Sequence, residues 1–209
     1  EAALDKHKHW GSLVDVYDPV MKPSEWCRDQ IKTVNTNPED IKNVIQTHLH
    51  LDHSGAIGHF PNATHITQRI EYDYAFNPDW FSQPAYIKED FDKPNIRWKF
   101  LQGKKTDYFD LYGDGVIKII FTPGHTPGHQ SVLVKLPKTG HMLLTGDACY
   151  TGDHWCDKCL PGLVASASDA ADSVAKLRKI AKETNAKVVW GHDPVTWLDW
   201  NKAPMFYYD

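Results

Sequence analysis

The run His48-Leu49-His50-Leu51-Asp52-His53 sets three imidazoles and a carboxylate within six residues and constrains this chain more than any other feature. It follows Asn43-Val44-Ile45-Gln46-Thr47, which reads as a short buried strand, so the cluster falls in the turn at the strand's C-terminal end, where alternate residues converge. A single histidine is usually a satisfied core or surface residue. Three of them with an aspartate at this spacing make a ligand set for zinc or a borderline neighbour. One such turn cannot close two sites, and further donors stand in Gly124-His125, Gly146-Asp147 and Gly191-His192. Each follows a segment that reads as a strand, over 116–121, 142–145 and 187–190. The glycine before each donor permits a tight turn and a close approach.

At about 100–200 residues per domain, 209 residues give a single domain, 1–209, with 41% apolar residues to fill it. Further strands are expected over 63–67, 96–101 and 131–136, with a hairpin around Lys138-Thr139-Gly140. Helices are expected over 24–34 with a serine cap after Pro23, over 69–76, and over 169–183 with Ser168 as its cap. Asn37-Pro38 offers a further cap. In the last helix Val174, Leu177, Ile180 and Ala181 recur at helical spacing, and Lys176, Arg178, Lys179 and Lys182 read as a solvated face. Sheets flanked by helices follow from this order.

The net charge of −4 carries no basic stripe, which argues against a nucleic-acid partner. No apolar run approaches the ~20 residues of a membrane span, and no signal segment opens the chain. Four cysteines, two of them in Cys156-Asp157-Lys158-Cys159, do not make a disulfide framework. The expectation is a cytoplasmic protein acting on a small molecule, with neither nucleic acid nor membrane as partner.

The order H-x-H-x-D-H, then T-P-G-H, G-D and G-H resembles the metallo-β-lactamase superfamily of dinuclear hydrolases. Closer similarity lies in His48 to Gly55, in Thr122-Pro123-Gly124-His125-Thr126-Pro127-Gly128-His129-Gln130-Ser131, in Asp147-Ala148-Cys149-Tyr150 and in Gly191-His192-Asp193. These resemble the N-acyl-homoserine lactone lactonases, particularly the subgroup that includes γ-butyrolactone lactonases, and the likeness runs from His9-Trp10-Gly11 to Lys202-Ala203-Pro204. The resemblance implies an α/β (α+β) fold, the αββα sandwich. It implies that His48, His50 and His125 hold one metal, that Asp52, His53 and His192 hold the second, and that Asp147 bridges them. It also implies two divalent cations, zinc ahead of iron, manganese or cobalt, a lactone substrate and a homodimer. Family members begin with additional strands, whereas this chain starts at Glu1, so a shortened N-terminus lacking some strands is expected.

Tyr150 stands where such lactonases carry a tyrosine that hydrogen-bonds the substrate, and Asp52 is placed to carry a proton to the leaving oxygen. Phe81 and Trp155 are candidate substrate contacts within an aromatic-rich set (Asp73, Tyr74, Phe76, Trp80, Phe81, Tyr86, Trp155) that reads otherwise as core. His129 reads as a group behind the ligands, and the Cys156–Cys159 pair alone is weak as a redox or metal motif. The implied activity is lactone-ring hydrolysis of the quorum-quenching type. A glyoxalase II-like thioesterase shares the metal motif, but Tyr150 and the short stretch after His192 disfavour it. The asparate-and-cysteine second site of typical β-lactamases is not matched, and seven intact ligands disfavour a catalytically idle metal-binding module.

Overall fold

Short apolar runs punctuated by proline, glycine and asparagine keep most elements brief, and the computed structural model shows this over the described residues, 5–209. Glu1, where the shortened N-terminus is expected to begin, lies outside the described residues. The chain divides into two units, one of Glu1–Thr67 with Tyr72–Phe100 and one of Gln68–Glu71 with Leu101–Asp209.

The first unit opens with α1 (Lys6–Trp10), capped by the Asp5 side chain, which accepts from the Lys8 N–H. The single helix expected over 24–34 is broken instead. A 3-10 turn at Pro23–Glu25 is capped from Lys22, whose N–H donates to Glu25, and Trp26 is extended (ψ 142°). Then follow α2 (Cys27–Gln30) and a further 3-10 turn, Ile31–Val34, stopped by Asn35 in the left-handed region. Trp26 has to leave helical geometry before α2 can start, so the apolar spacing over 24–34 marks two short turns rather than one face. The cap at Asn37-Pro38 is present and opens the 3-10 turn Pro38–Asp40. Next come β1 (Asn43–Ile45), α3 (Leu51–Ser54), β2 (Thr64–Gln68), α4 (Arg69–Phe76), α5 (Lys88–Phe91) and β3 (Arg97–Leu101), with sheet order β1-β2-β3. β1 and β2 run parallel, Asn43 opposite Thr64.

Leu49, Ile57, Ala75, Tyr86 and Phe91 form one buried cluster, with Tyr72, Tyr74, Phe76, Ile96 and Trp98 packed on it. Much of the aromatic-rich stretch is therefore core, at roughly 1.5–3 kcal/mol for each large side chain fully buried. Trp10, Val14 and Leu51 form a second cluster.

The second unit is a five-stranded sheet in the order β4 (Tyr108–Asp110), β5 (Ile117–Phe121), β6 (Gln130–Leu136), β7 (Gly140–Leu144) and β8 (Lys187–Val189). Its neighbours are antiparallel except β7 and β8. The parallel pair needs a crossover, which holds α6 (Gly152–Trp155) and α7 (Ala167–Thr184); α8 (Pro194–Trp197) follows β8. β4 was not expected: three residues show no period of their own, and pairing with β5 makes them a strand.

Leu177 and Ile180 of α7 close over Ile120, Leu133, Leu143 and Ala148. The cap of α7 is Ser166, whose hydroxyl accepts from the Asp169 N–H at 3.3 Å, so the helix starts before Ser168. Its basic face is only partly solvated. Lys176 bonds Asp107 and the Phe121 carbonyl, and Arg178 forks onto Asp157 while bonding the Trp155 carbonyl. No helix of the described residues is long and apolar enough to cross a membrane.

Candidate metal centre

The first unit supplies four donors from one turn. After β1, Leu49 (0% exposed) enters one cluster and Leu51 (4%) the other, so the two leucines anchor the run between which the histidines alternate. His50 is the N-cap of α3, and its carbonyl accepts from the His53 and Ser54 N–H groups. That single turn folds His53 back beside His48, with the Asp52 carboxylate next to His53. The His48 ring centroid lies 4.6 Å from that of His50 and 4.2 Å from that of His53. The ligand atoms of His48 and His50 lie within 4.8 Å of each other, as do those of Asp52 and His53. His48 Nδ1 meets Thr47 Oγ1 at 3.1 Å, which turns Nε2 the other way.

Behind α3, the buried Asp90 contacts His9 Nε2 at 2.8 Å and accepts from Ser54 Oγ at 3.4 Å. Burial pushes its carboxyl above the ordinary aspartate range, with His9 pulling against it. Tyr86 sets its ring edge against His50, 4.6 Å between centroids.

The second unit supplies three donors from three strand ends, and each is held separately. The His125 Nδ1–H donates to the Leu163 carbonyl at 2.7 Å, which leaves Nε2 as its candidate ligand atom. Gly124 makes this possible: at φ 138° it lies where a Cβ would stand 2.3 Å from the Ala170 nitrogen, so the loop rests directly on the start of α7. Glu71, fully buried, accepts from Thr126 Oγ1 at 2.6 Å and from the Gly128 N–H at 3.2 Å. His192 follows β8, its N–H donating to the Tyr150 carbonyl. The next residue, Asp193, accepts from the N–H groups of Thr196, Val195 and Gly152, and these hold its carboxyl below the usual range. A Cβ on Gly191 would meet the Gly146 carbonyl at 2.7 Å and Asp147 Oδ1 at 2.9 Å.

These anchors converge on Asp147, which is 2% exposed. Its Oδ2 lies 3.4 Å from His125 Nε2 and 3.2 Å from His192 Nε2. One carboxylate oxygen thus sits between two imidazole nitrogens that the family resemblance implies belong to different metals.

Tyr150 packs its ring on both of these histidines, 5.6 Å from His125 and 5.0 Å from His192. Its Oη is 3.4 Å from His125 Nδ1. That nitrogen carries a proton directed at Leu163, so the tyrosine's own proton is not donated to it. Trp155 packs against the core of the second unit and on Trp190, whereas Phe81, 41% exposed, stands edge-on to Trp80 in the first. Cys156 and Cys159 are exposed free thiols.

Sequence reasoning passed over Glu71, Asp90 and the Leu163 carbonyl. Glu71 reads as one more polar residue of an expected helix, and a main-chain carbonyl has no sequence signature.

Five imidazoles and two carboxylates without a thiolate suit borderline divalent cations such as zinc. The protein class that such a donor set defines is that of proteins built around a metal centre. The model of the metallo-beta-lactamase superfamily matches residues 12–192. The N-acyl homoserine lactonase AttM of Rhizobium radiobacter is 57% identical over 207 residues, 99% of this chain and 79% of that protein. Among solved structures, a mutant of Bacillus thuringiensis AiiA with N-decanoyl-L-homoserine bound at the active site aligns with a TM-score of 0.78 at 29% identity, covering 91% of this chain and 70% of that one. An N-acyl homoserine lactone hydrolase with its product N-hexanoyl-L-homoserine at the catalytic metal centre aligns equally well. The chain belongs to the metallo-beta-lactamase superfamily and, within it, to the family of the N-acyl homoserine lactonases.

Proposed function

We propose that the chain hydrolyses the ring ester of N-acyl homoserine lactones to the open hydroxy acid, as a metal-dependent lactonase. The placement of Asp147 Oδ2 between His125 Nε2 and His192 Nε2 carries this reading, together with family membership. In it, the two units form one catalytic domain. His48, His50 and His125 hold one cation, Asp52, His53 and His192 hold the other, and Asp147 is shared. Two divalent cations, zinc first, would supply Lewis acidity for the ester carbonyl and a nucleophile at neutral pH.

The chain's own residues do the rest. Asp147 keeps the two histidine sets in register. Tyr150 donates its hydroxyl proton in a hydrogen bond to the carbonyl oxygen as charge builds there. Asp52 takes up the proton released by the attacking water and hands it to the ring oxygen as the carbon–oxygen bond breaks. Phe81 and Trp155 are proposed to contact the substrate. γ-Butyrolactone, which has no acyl tail, is the alternative substrate.

The test is turnover by the metal-loaded protein of a series of acyl-homoserine lactones, γ-butyrolactone and a glutathione thioester, with elemental analysis of the active sample. Opening of acyl-homoserine lactones by protein holding two metals is expected. Cleavage of the thioester alone would assign the chain to the glyoxalase II-like chemistry instead.

A further inference from the structure

His129 follows the candidate ligand His125 by four residues and is fully buried, with both of its ring nitrogens hydrogen-bonded. Its Nε2 meets the main-chain nitrogen of Asp147 at 2.9 Å and its Nδ1 meets Thr122 Oγ1 at 2.9 Å. Thr122 Oγ1 in turn lies 2.9 Å from Ser131 Oγ, which donates to the Thr145 carbonyl at 2.8 Å. All these side chains are buried, with Thr122, His129, Ser131 and Thr145 at 0% exposure.

The direction of every bond in this chain is determined. A carbonyl only accepts, so the single Ser131 proton goes to Thr145. Ser131 Oγ must then accept from Thr122, whose single proton is used there. Thr122 Oγ1 must therefore accept from His129 Nδ1–H, which leaves Nε2 bare to accept from Asp147. The other end demands the same arrangement, because a main-chain N–H only donates. Four hydrogen bonds thus fix one tautomer of one ring and tie it to the backbone of Asp147, the residue whose carboxylate oxygen stands between His125 and His192.

We propose that His129 is a positioning residue that holds Asp147 for metal binding through its main-chain N–H, with Thr122 and Ser131 setting the tautomer that lets it do so. This rests on the proposed reading of Asp147 as the shared ligand. His129 neither ligates a cation nor touches substrate. Its effect passes through the peptide of Asp147, and it is needed whichever divalent cation occupies the centre. A partner that orients a ligand in this way typically contributes 10–100-fold in metal affinity.

The test uses the full chain, stripped with a chelator and titrated with Zn2+ against a chromophoric competitor, with the melting temperature of each metal-free protein measured alongside. His129→Leu removes the acceptor and should weaken zinc binding by about 10–100-fold. His129→Gln offers a side-chain carbonyl oxygen to the same N–H and should restore most of that loss. Ser131→Ala leaves His129 in place but no longer directs the Thr122 proton, and should shift affinity in the same direction by a smaller factor. If His129→Leu fails to fold, His129→Gln and Ser131→Ala decide: retained affinity in the first with a loss in the second supports the proposal. Wild-type affinity in both His129→Leu and Ser131→Ala overturns it. So does a Gln variant as weak as the Leu variant, or a loss that follows the metal-free melting temperature alone. A wild-type protein that binds fewer than two zinc ions overturns the two-metal reading itself, and the positioning role with it.

Discussion

The two halves of the donor set are built on different principles. His48, His50, Asp52 and His53 come from one turn, and a buried leucine on each side of His50 with one helical turn at α3 sets their mutual geometry. His125, Asp147 and His192 come from the ends of three different strands, and each carries its own anchor: the Leu163 carbonyl, the His129 ring and the Asp193 cap. Contiguous ligands inherit order from the local backbone. Dispersed ligands need a separate hydrogen bond for each backbone arrival. The second set should therefore be more sensitive to changes in residues that are not ligands, and the first to changes in its own turn.

The largest effect expected is that of Asp147→Ala, which removes the shared carboxylate. Metal content should fall at both sites and lactone turnover should drop by more than the ~10–100-fold typical of a lost supporting partner. Elemental analysis checks it, and a protein that keeps both metals would erase the distinction drawn for the second set. Tyr150→Phe comes next. It should retain both metals and the fold while kcat falls by up to ~10²-fold, the lower end of what one oxyanion donor contributes, because a cation carries part of the same charge. An unchanged kcat would make Tyr150 a packing residue for the two histidines.

Gly124→Ala tests the backbone arrivals directly. The added Cβ would overlap the Ala170 nitrogen at 2.3 Å at a positive φ, so a loss of roughly 2–5 kcal/mol is expected from strain and overpacking together. Gly140→Ala is the control: φ is again positive, but no atom lies within 4 Å of the new Cβ, so the cost should be about 1–3 kcal/mol. Chemical denaturation of both variants measures the difference. Equal losses would mean that the loop does not rest on α7 as described.

An effect that appears only as the pH falls belongs to the first unit. His65 is buried on β2, accepts from Gln46 at 3.2 Å, and is held down to about 4, chiefly by burial and further by Lys93. The unfolded chain takes up this proton near pH 6.5 and the folded one only near 4, so stability falls as pH drops through that window, by up to about 3 kcal/mol. His65→Gln should flatten the slope between pH 6.5 and 4 in urea titrations.

What could be read beforehand follows the same division. The HLHLDH turn announces itself, because its ligands are neighbours and its alternation is visible. The helix α4 and strands β5 to β8 were readable from apolar period and punctuation. The candidate ligands His125, Asp147 and His192 were legible through the Gly-donor pattern repeated at three strand ends and through the family resemblance. Of their supports only His129 was legible, as a group behind the ligands: Glu71 acts across 55 residues of sequence, and the cap of α7 moved from Ser168 to Ser166 because backbone geometry chose between two serines. The break at Trp26 and the three-residue β4 also escaped. Neither has a local signal strong enough to outweigh its neighbours, and each depends on partners elsewhere in its unit.

Gly191 carries a consequence for how such a protein can change over generations. Its missing side chain is what keeps the Gly146 carbonyl and the Asp147 carboxylate in place beside it. Every amino acid reachable from a glycine codon by one base change carries a β-carbon, so no single coding step away from this residue leaves that space open. Lineages can drift in the exposed α8 and its surroundings while this position stays closed to them, unless a second change moves the Asp147 carboxylate first.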